Sequence, residues 1–244
     1  MVPGKRLIVA GAAALLVGLV VGFPASLAYQ QFAPPGLALS GLSGTIWKGQ
    51  AAQGSAWGLY LENLSWQFHP LSLITLEPGY RIAAAPIAGF LECDVAATLG
   101  GVRISNLAAA IPIASLQSLL PVNGVEGDLS LQFDKLVLDQ GFPVAADGTL
   151  AVAGLTIPAL SATALGDFRA FLRSTNNQVT GDVEDVSGVL DVTGEITLLP
   201  DRSYRLVGRI AAEPEAPEAL QQQLRFLGSP DDQGRREFRL EGQL

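Results

Sequence analysis

The sequence is poor in the residues that build most reactive centres. Its 244 residues include one cysteine, one histidine and one methionine, and only 16% of them are charged. A single cysteine excludes an internal disulfide bond and any zinc or iron–sulfur site with several thiolate ligands, and a single histidine excludes multi-histidine metal sites. Neither a phosphate-binding loop nor a Gly-x-Ser-x-Gly nucleophile motif occurs. The composition argues against an enzyme, and we predict no catalytic, cofactor-binding or metal-binding residue.

The charge balance points away from nucleic acid as a partner. The chain has 23 acidic residues against 15 basic ones and a formal net charge of −8. Contacts to phosphate groups need clustered cations, so we expect no nucleic acid partner, and without a phosphate-binding loop we expect no nucleotide. Intrinsic disorder needs low hydrophobicity and high charge, whereas 49% of this chain is hydrophobic. The sequence therefore predicts a folded protein.

The first 29 residues predict a membrane anchor. Lys5 and Arg6 precede an uncharged, apolar segment at residues 7–28, which supplies the roughly 20 residues that a transmembrane helix needs. Cations on its N-terminal side place that terminus in the cytoplasm and residues 30–244 across the membrane. The alternative is a cleaved signal peptide, because Ser-Leu-Ala at 26–28 resembles a cleavage site, although the apolar segment is longer than is usual for that role.

Beyond residue 35 the sequence consists of short segments in which apolar and polar residues alternate. Alternation with period two gives a strand one apolar and one polar face. Two such segments flank Pro-Asp-Arg-Ser at 200–203 and predict a β-hairpin over residues 189–210. In it, Glu195 or Asp191 is placed to pair with Arg205 or Arg209. The clearest alternating apolar positions are Leu129, Leu131, Phe133, Leu190, Val192, Ile196, Leu198, Tyr204, Leu206, Ile210, Phe238 and Leu240.

These segments predict a mainly β fold: a curved, twisted antiparallel sheet, arranged either as an open groove or as a sandwich-like structure. Several alternating segments open with glycine, which permits bulges and sharp coiling of a sheet. Gly-Thr-apolar at positions 44 and 148 is a weak sign of two duplicated halves, about 36–140 and 141–244.

Two or three short helices are expected within the β domain. The best candidate is 213–228, where Leu220, Leu224 and Leu227 mark one face, Pro217 comes early and Gly228 suits a left-handed position after the last turn. A shorter candidate is 113–120, which ends before Pro121. The third is 159–173, interrupted by glycine at 166.

Four stretches in order resemble one known family. The first is Gly-Leu-Ser-Gly-Thr-Ile-Trp-Lys-Gly-Gln-Ala at 41–51, just after the predicted anchor, and the second is Leu-Ser-Trp-Gln-Phe-His-Pro-Leu at 64–71. The third is Leu-Gly-Asp-Phe-Arg-Ala-Phe-Leu at 165–172, followed by the acidic stretch 182–194. The last is Leu-Arg-Phe-Leu-Gly at 224–228, with 232–235 and 240–244 after it. Together they resemble the type II secretion system protein N family, also called general secretion pathway protein N.

The resemblance implies an accessory component of the Gram-negative machine that exports folded proteins across the outer membrane. Such a protein is held in the inner membrane by one helix, has its body in the periplasm, and has other secretion components and inner-membrane lipids as partners. Family members are also distantly similar to AsmA-like envelope proteins, whose curved sheets hold lipid. That likeness implies an alternative role, a module that binds or transfers a lipid or another hydrophobic molecule, although fold analogy alone does not determine function.

Individual residues that resemble reactive sites have simpler structural interpretations. The sequence favours a structural role for His69. It also favours a buried, inert Cys93, because the acidic neighbours of this cysteine raise its thiol pKa. The acidic residues Asp182, Glu184, Asp185, Asp191 and Glu195 lack the calcium-loop pattern and favour a solvated strand face. Asp231 and Asp232 suit a turn, and core packing is the expected role of Trp47, Trp57 and Trp66.

Overall fold

The structure is a computed structural model that describes residues 4–56, 58–74, 76–117, 122–175 and 178–243. In this part of the chain, fourteen strands form one antiparallel sheet. The strands are β1 (Leu37–Ser40), β2 (Ser43–Gly44), β3 (Lys48–Ala56), β4 (Leu59–His69), β5 (Gly79–Pro86), β6 (Phe90–Thr98), β7 (Gly101–Pro112), β8 (Glu126–Asp139), β9 (Phe142–Thr156), β10 (Gly166–Thr175), β11 (Gln178–Gly188), β12 (Leu190–Leu198), β13 (Ser203–Ala212) and β14 (Arg236–Gln243).

The sheet is a meander in which neighbouring strands are consecutive in the chain. From β3 to β14 each strand pairs with the next, β1 pairs with β3 at one edge, and β2 pairs with the start of β3. β14 lies at the other edge. The predicted mainly β, antiparallel architecture is confirmed. It is the open form of the two arrangements expected, because the described strands do not divide into two facing sheets.

Antiparallel order puts alternate connections at opposite ends of the sheet. The connections after β4, β6, β8 and β12 lie at the end where α1 arrives, which we call the helix end. The connections after β5, β7, β9 and β13 lie at the opposite end. At the helix end, Arg202 of the β12–β13 turn donates a hydrogen bond to Gln140 of the β8–β9 turn (2.8 Å). Two other strands, β10 and β11, lie between these hairpins, so the sheet must curl to bring the turns together.

Three α-helices accompany the sheet in the described residues: α1 (Gly4–Val21), α2 (Ala25–Phe32) and α3 (Glu218–Leu224). Short 3-10 helices occupy Pro70–Leu73, Ile113–Leu116 and Arg225–Leu227. Among the helices of the described residues, none combines the length and the apolar character required to traverse a bilayer. The predicted membrane-spanning helix stays a prediction.

The helix predictions are partly wrong. Residues 166–173 of the third candidate belong to β10, since Phe168, Ala170 and Leu172 also alternate with period two and the strand pairs with β9 and β11. The helix expected at 213–228 begins only at Glu218, after Pro217. Gly228 has φ of 106° but ψ of −163°, which is not the left-handed helical conformation expected. The candidate at 113–120 is a 3-10 turn, and residues 118–121 lie outside the described residues.

The predicted hairpin over 189–210 is confirmed as β12 and β13, but its expected ion pairs are wrong. Arg205 lies opposite Thr197 in the register and pairs with Glu241 of β14 (2.8 Å). Asp191 pairs with Arg235, which precedes β14 (2.8 Å). The strand pattern identified the neighbours within the hairpin, whereas the ion pairs depend on the strand that lies beside it.

Apolar side chains collect in two clusters on one face of the sheet. Since no second sheet covers the described strands, these residues are buried because the sheet curls toward this face, and we call it the concave face. The larger extends from β6 to β12 and includes Leu107, Phe133 and Val179. The smaller lies where α3 packs on the C-terminal strands, and its most buried members are Leu165 and Leu220. The accessible surface is 15045 Å², whereas a compact monomer of this mass exposes about 10,400 Å². Much of the chain's surface is therefore not covered by a second layer.

Candidate functional site

A row of residues crosses the concave face and forms its apolar surface, which we call the groove. The residues are directly paired from strand to strand, so they lie side by side across eight neighbouring strands. They are Leu107, Phe133, Gly148, Leu172, Gly181, Ile196, Leu206 and Leu240. Leu107 and Phe133 are buried, whereas the large members from β10 to β14 are half-buried or exposed. A concave, mainly apolar surface of this kind is where proteins hold hydrophobic ligands.

The glycines in this row allow the sheet to bend around the groove. A Cβ on Gly148 would lie 2.3 Å from the Gln132 carbonyl oxygen and 2.6 Å from the Cα of Phe133. A Cβ on Gly181 would lie 2.9 Å from the Cγ2 of Ile196. These distances are shorter than carbon atoms tolerate, so glycine at these two positions permits the close approach of neighbouring strands. The structure thus shows close strand approach at particular glycines, whereas their role in coiling the sheet stays a prediction.

Three aromatic rings line the concave face at the helix end. Trp47 and Phe68 have ring centroids 4.9 Å apart, and Phe68 and Tyr80 are 5.2 Å apart, both with edge-to-face geometry. Such pairs stabilise a fold by about 0.5–1.5 kcal/mol beyond the contribution of the surface area they bury. Burial also raises the pKa of the Tyr80 hydroxyl. Trp47 further donates a hydrogen bond from Nε1 to the Val20 carbonyl (2.8 Å), which ties α1 to the sheet.

Of the other two tryptophans, Trp66 and Trp57, only Trp66 lies within the described residues. Trp66 lies over Gly49 of the neighbouring strand and donates from Nε1 to the Thr45 carbonyl (3.0 Å). Trp47 and Trp66 are both half-buried and pack against neighbouring residues, but neither belongs to the buried core expected for them.

The two edges of the sheet are not equivalent. β1 has four residues, and the Tyr29 hydroxyl of α2 accepts a hydrogen bond from the Leu39 amide (2.9 Å) and donates to the Leu37 carbonyl (3.1 Å). This hydroxyl occupies backbone groups that a further strand would use. β14 has eight residues, each paired with β13 on one side, and no described strand pairs with its other side. β14 therefore presents the longer free edge, with Leu240 more than half exposed.

A polar cluster surrounds Asp94 on the convex face. Its carboxylate accepts hydrogen bonds from Arg81 (3.0 Å) and Asn106 (2.9 Å), and one oxygen lies 3.3 Å from Nε2 of His69. Partial burial by itself raises the pKa of Asp94, but the hydrogen bonds from Arg81 and Asn106 outweigh it and hold that pKa below its usual value. His69 thus joins an ion-pair network between strands, as its predicted structural role requires.

Cys93 precedes Asp94 on β6 and is buried on the concave face. Desolvation and the neighbouring Asp94 raise the pKa of its thiol to about 11. A thiol with such a pKa is almost entirely protonated near neutral pH, so it is a poor nucleophile. The predicted burial of Cys93 is confirmed, and its low reactivity stays a prediction.

The acidic residues of β11 and β12 do not converge. Asp182 pairs with Arg173, Asp191 pairs with Arg235, and Asp185 accepts the Val192 amide (2.8 Å). Glu184 is exposed, whereas Asp185 on the other face is half-buried. Among the residues that the structure describes, no group of three or more His, Cys, Asp or Glu side chains is arranged to hold a metal ion.

The predicted turn at Asp231 is confirmed, because its side chain accepts hydrogen bonds from the amides of Gln233 and Arg235 (both 2.9 Å).

Two features were not predicted from the sequence, the Asp94 cluster and the Tyr29 hydroxyl on β1. Alternation with period two puts Arg81 and Asp94 on polar faces, but their pairing depends on the register between strands, which the sequence does not state.

By its architecture the chain is an open, single-sheet protein with an apolar concave face and one long free edge. Its residues 35–239 match the family described as type II secretion system (T2SS), protein N. Relatives named type II secretion system protein N are 29% identical in Vibrio cholerae, over 94% of each chain, and 28% identical in Aeromonas hydrophila, over 93% of each chain. A third, from Pectobacterium carotovorum, is 22% identical over 93% of this chain and 98% of its own.

The chain belongs to the type II secretion system protein N family, and the resemblance noted in the sequence is confirmed. No solved structure matches it. Membership makes it a component of the secretion apparatus. The open sheet, its groove and its free edge are then the features from which a role within that apparatus can be argued.

Proposed function

We propose that this chain is an accessory component of the type II secretion system, anchored in the inner membrane by its N-terminal segment, with its sheet in the periplasm. It acts by protein–protein contact in the export of folded proteins and not by catalysis. Lys5 and Arg6 before the apolar segment support this orientation. α1 also fits a tether, since its side chains from Leu15 to Val21 are exposed and do not pack on the sheet.

The observation that carries the contact role is the free edge of β14. An unpaired strand edge presents backbone amides and carbonyls to which another chain can add a strand. On β14 the charged residues Arg239 and Glu241 pair with each other (2.9 Å). Charges on an edge strand disfavour indiscriminate pairing, so this edge suits a selective partner. The β1 edge is short and capped by Tyr29, which leaves β14 as the better docking strand.

A secretion assay tests this proposal. A deletion strain is complemented with the full chain carrying Leu240→Lys on β14 or, as a matched control, Ala38→Lys on the exposed face of β1, and the exported protein in the medium is measured. We expect Leu240→Lys to lower secretion and Ala38→Lys to leave it unchanged at equal protein levels. Unchanged secretion with both variants would contradict the role of β14.

The anchor is tested separately by membrane fractionation and by protease treatment of spheroplasts. We expect the full chain in the inner-membrane fraction, with residues beyond 30 accessible to protease from the periplasmic side. Recovery of the full chain in the soluble fraction would contradict the anchor and leave the contact role of the sheet to be judged by secretion alone.

The groove favours a second candidate, an AsmA-like module that binds or transfers a lipid or another hydrophobic molecule. Its support is the part of the row from β10 to β14, where the large apolar residues are half-buried or exposed and no described second layer covers them. Native mass spectrometry of the purified full chain tests it, with Ala170→Trp as the variant, because Ala170 lies on the concave face between Leu150 and Val183. Bound lipid that is lost in this variant would support the candidate, whereas a wild-type chain without lipid would count against it.

The division into duplicated halves near residue 140 stays a prediction. The proposed boundary falls in the turn between β8 and β9.

A further inference from the structure

The connection between β4 and β5 presents an unusual set of exposed side chains. In residues 70–78, all the large apolar side chains described point into solvent: Leu71 is 78% exposed, Leu73 54%, Ile74 80% and Leu76 88%. Single exposed apolar residues are normal on protein surfaces, but a contiguous patch marks an interaction site. Four in one short connection form such a patch, which we call the leucine tip.

The leucine tip is held in shape by polar contacts beneath it. Ser72 donates a hydrogen bond to the His69 carbonyl (2.6 Å) and accepts one from the Gly79 amide (2.9 Å). The Glu77 amide donates to the Ser72 carbonyl (3.2 Å), and the Glu77 side chain forms an ion pair with Arg103 of β7. The side chains of Ser72 and Glu77 are turned inward to the fold, while the described apolar side chains face outward.

A second exposed leucine stands beside the leucine tip. The Ala97 amide of β6 donates to the Pro78 carbonyl (3.1 Å), so the β6–β7 turn is adjacent to the β4–β5 connection. Leu99 in this turn is fully exposed. Other exposed apolar residues, such as Ile87 and Phe226, lie on separate connections at the opposite end.

The leucine tip lies at the end of the sheet where α1 arrives. The Phe68 amide, two residues before Pro70, donates to the Trp47 carbonyl (2.7 Å). Trp47 in turn donates from its indole to the carbonyl of Val20, in the last turn of α1. A single tryptophan therefore links the C-terminal end of the apolar helix to the strand that leads into the tip.

We propose that the leucine tip, with Leu99, inserts into the surface of the lipid bilayer in which α1 is anchored, so that the sheet stands with its helix end on the membrane. This inference rests on the anchor in the proposed function. We propose a bilayer as the partner because the tip lies at the same end of the sheet as the C-terminal end of an apolar helix, to which Trp47 links it. Its one described carboxylate, Glu77, is neutralised by Arg103, which lowers the cost of approaching anionic lipid.

The net charge of the chain is −8, so attraction to anionic lipid headgroups does not account for this contact. Its driving force is the transfer of apolar side chains out of water. Insertion should therefore occur equally in zwitterionic and anionic bilayers and should resist added salt.

Site-specific fluorescence on the full chain tests the inference. Ile74→Cys is labelled with an environment-sensitive dye, and Ile87→Cys is the matched control, since both are exposed isoleucines in hairpin connections at opposite ends of the sheet. Cys93 is buried, so we expect it not to react with the reagent in the folded chain. Each protein is reconstituted into phosphatidylcholine vesicles, and into phosphatidylethanolamine–phosphatidylglycerol vesicles, all with nitroxide-labelled lipid. We expect the dye at 74 to lose most of its fluorescence in both and the dye at 87 to keep it.

A second labelled protein guards against a local effect of the dye. A dye on Leu99→Cys should be quenched as well, and adding Leu71→Ser and Leu76→Ser should remove that quenching while leaving the circular dichroism spectrum unchanged. Equal quenching at 74 and 87, or no quenching at 74 in a protein that floats with the vesicles, would overturn the inference and leave the anchor standing. A protein that does not float with vesicles would overturn the anchor and the inference together.

Discussion

Replacement of Gly148 by alanine tests whether close strand approach shapes the groove. The added Cβ would meet the Gln132 carbonyl oxygen at 2.3 Å and the Phe133 Cα at 2.6 Å. Both are backbone atoms, so no side-chain rotation relieves the contact and the strands β8 and β9 must move apart. Overpacking of this kind costs about 1–3 kcal/mol. For a chain of this length that corresponds to a loss of about 2–12 °C in Tm.

The assay is thermal unfolding followed by circular dichroism, on the full chain in detergent. Gly100→Ala is the matched control, because Gly100 lies in the β6–β7 turn and a Cβ there meets nothing within 4 Å. We expect its free energy of unfolding to change by less than about 0.5 kcal/mol. If the Gly148→Ala protein is as stable as the control, β8 and β9 are not in close contact at this position, and glycine is not required there.

Three further outcomes follow from local geometry. Asp94→Asn should lower the free energy of unfolding at pH 7 by about 1 kcal/mol, because the ion pair with Arg81 is lost. Because the folded-state pKa of Asp94 is depressed, its contribution to stability is present above the ordinary value of 3.8 and is lost as the pH falls through the folded-state pKa. The free energies of unfolding of wild type and variant should therefore converge in acid. A difference in stability that persists in acid would contradict the role of the Asp94 carboxylate. Tyr29→Phe should speed hydrogen exchange of the Leu39 amide, and unchanged protection would mean that Tyr29 does not cap β1. Cys93, with a pKa of about 11, should react with maleimide at pH 8 only after unfolding, and rapid labelling of the native chain would contradict its burial.

The strands with clear alternation were predictable from the sequence. β8, β12, β13 and β14 alternate large apolar residues with charged or hydroxyl residues, and the turn residues between β12 and β13 specified that hairpin. β7 gave no comparable signal because Ala108, Ala109 and Ala110 occupy both of its faces. Alanine fits either a buried or an exposed position, so period two is hidden there.

Long-range features account for the remaining differences. β10 resembled a helix because Leu165, Phe168 and Leu172 are spaced at three and four residues, and only pairing with β9 and β11 makes it a strand. Whether apolar strand faces meet a second layer or line a groove depends on how far the whole sheet curls. The Tyr29 hydroxyl reaches β1 only after α2 and β1 have packed together, and no local pattern marks that contact.

Whether the sheet works by contact through its β14 edge is best tested by photo-crosslinking in secreting cells. A photoreactive amino acid is placed at Leu240 or at Ala38 in the full chain, and crosslinked proteins are identified by mass spectrometry. The account predicts adducts with other proteins of the type II secretion system from position 240 and none from position 38. Such adducts from position 38 alone would contradict it.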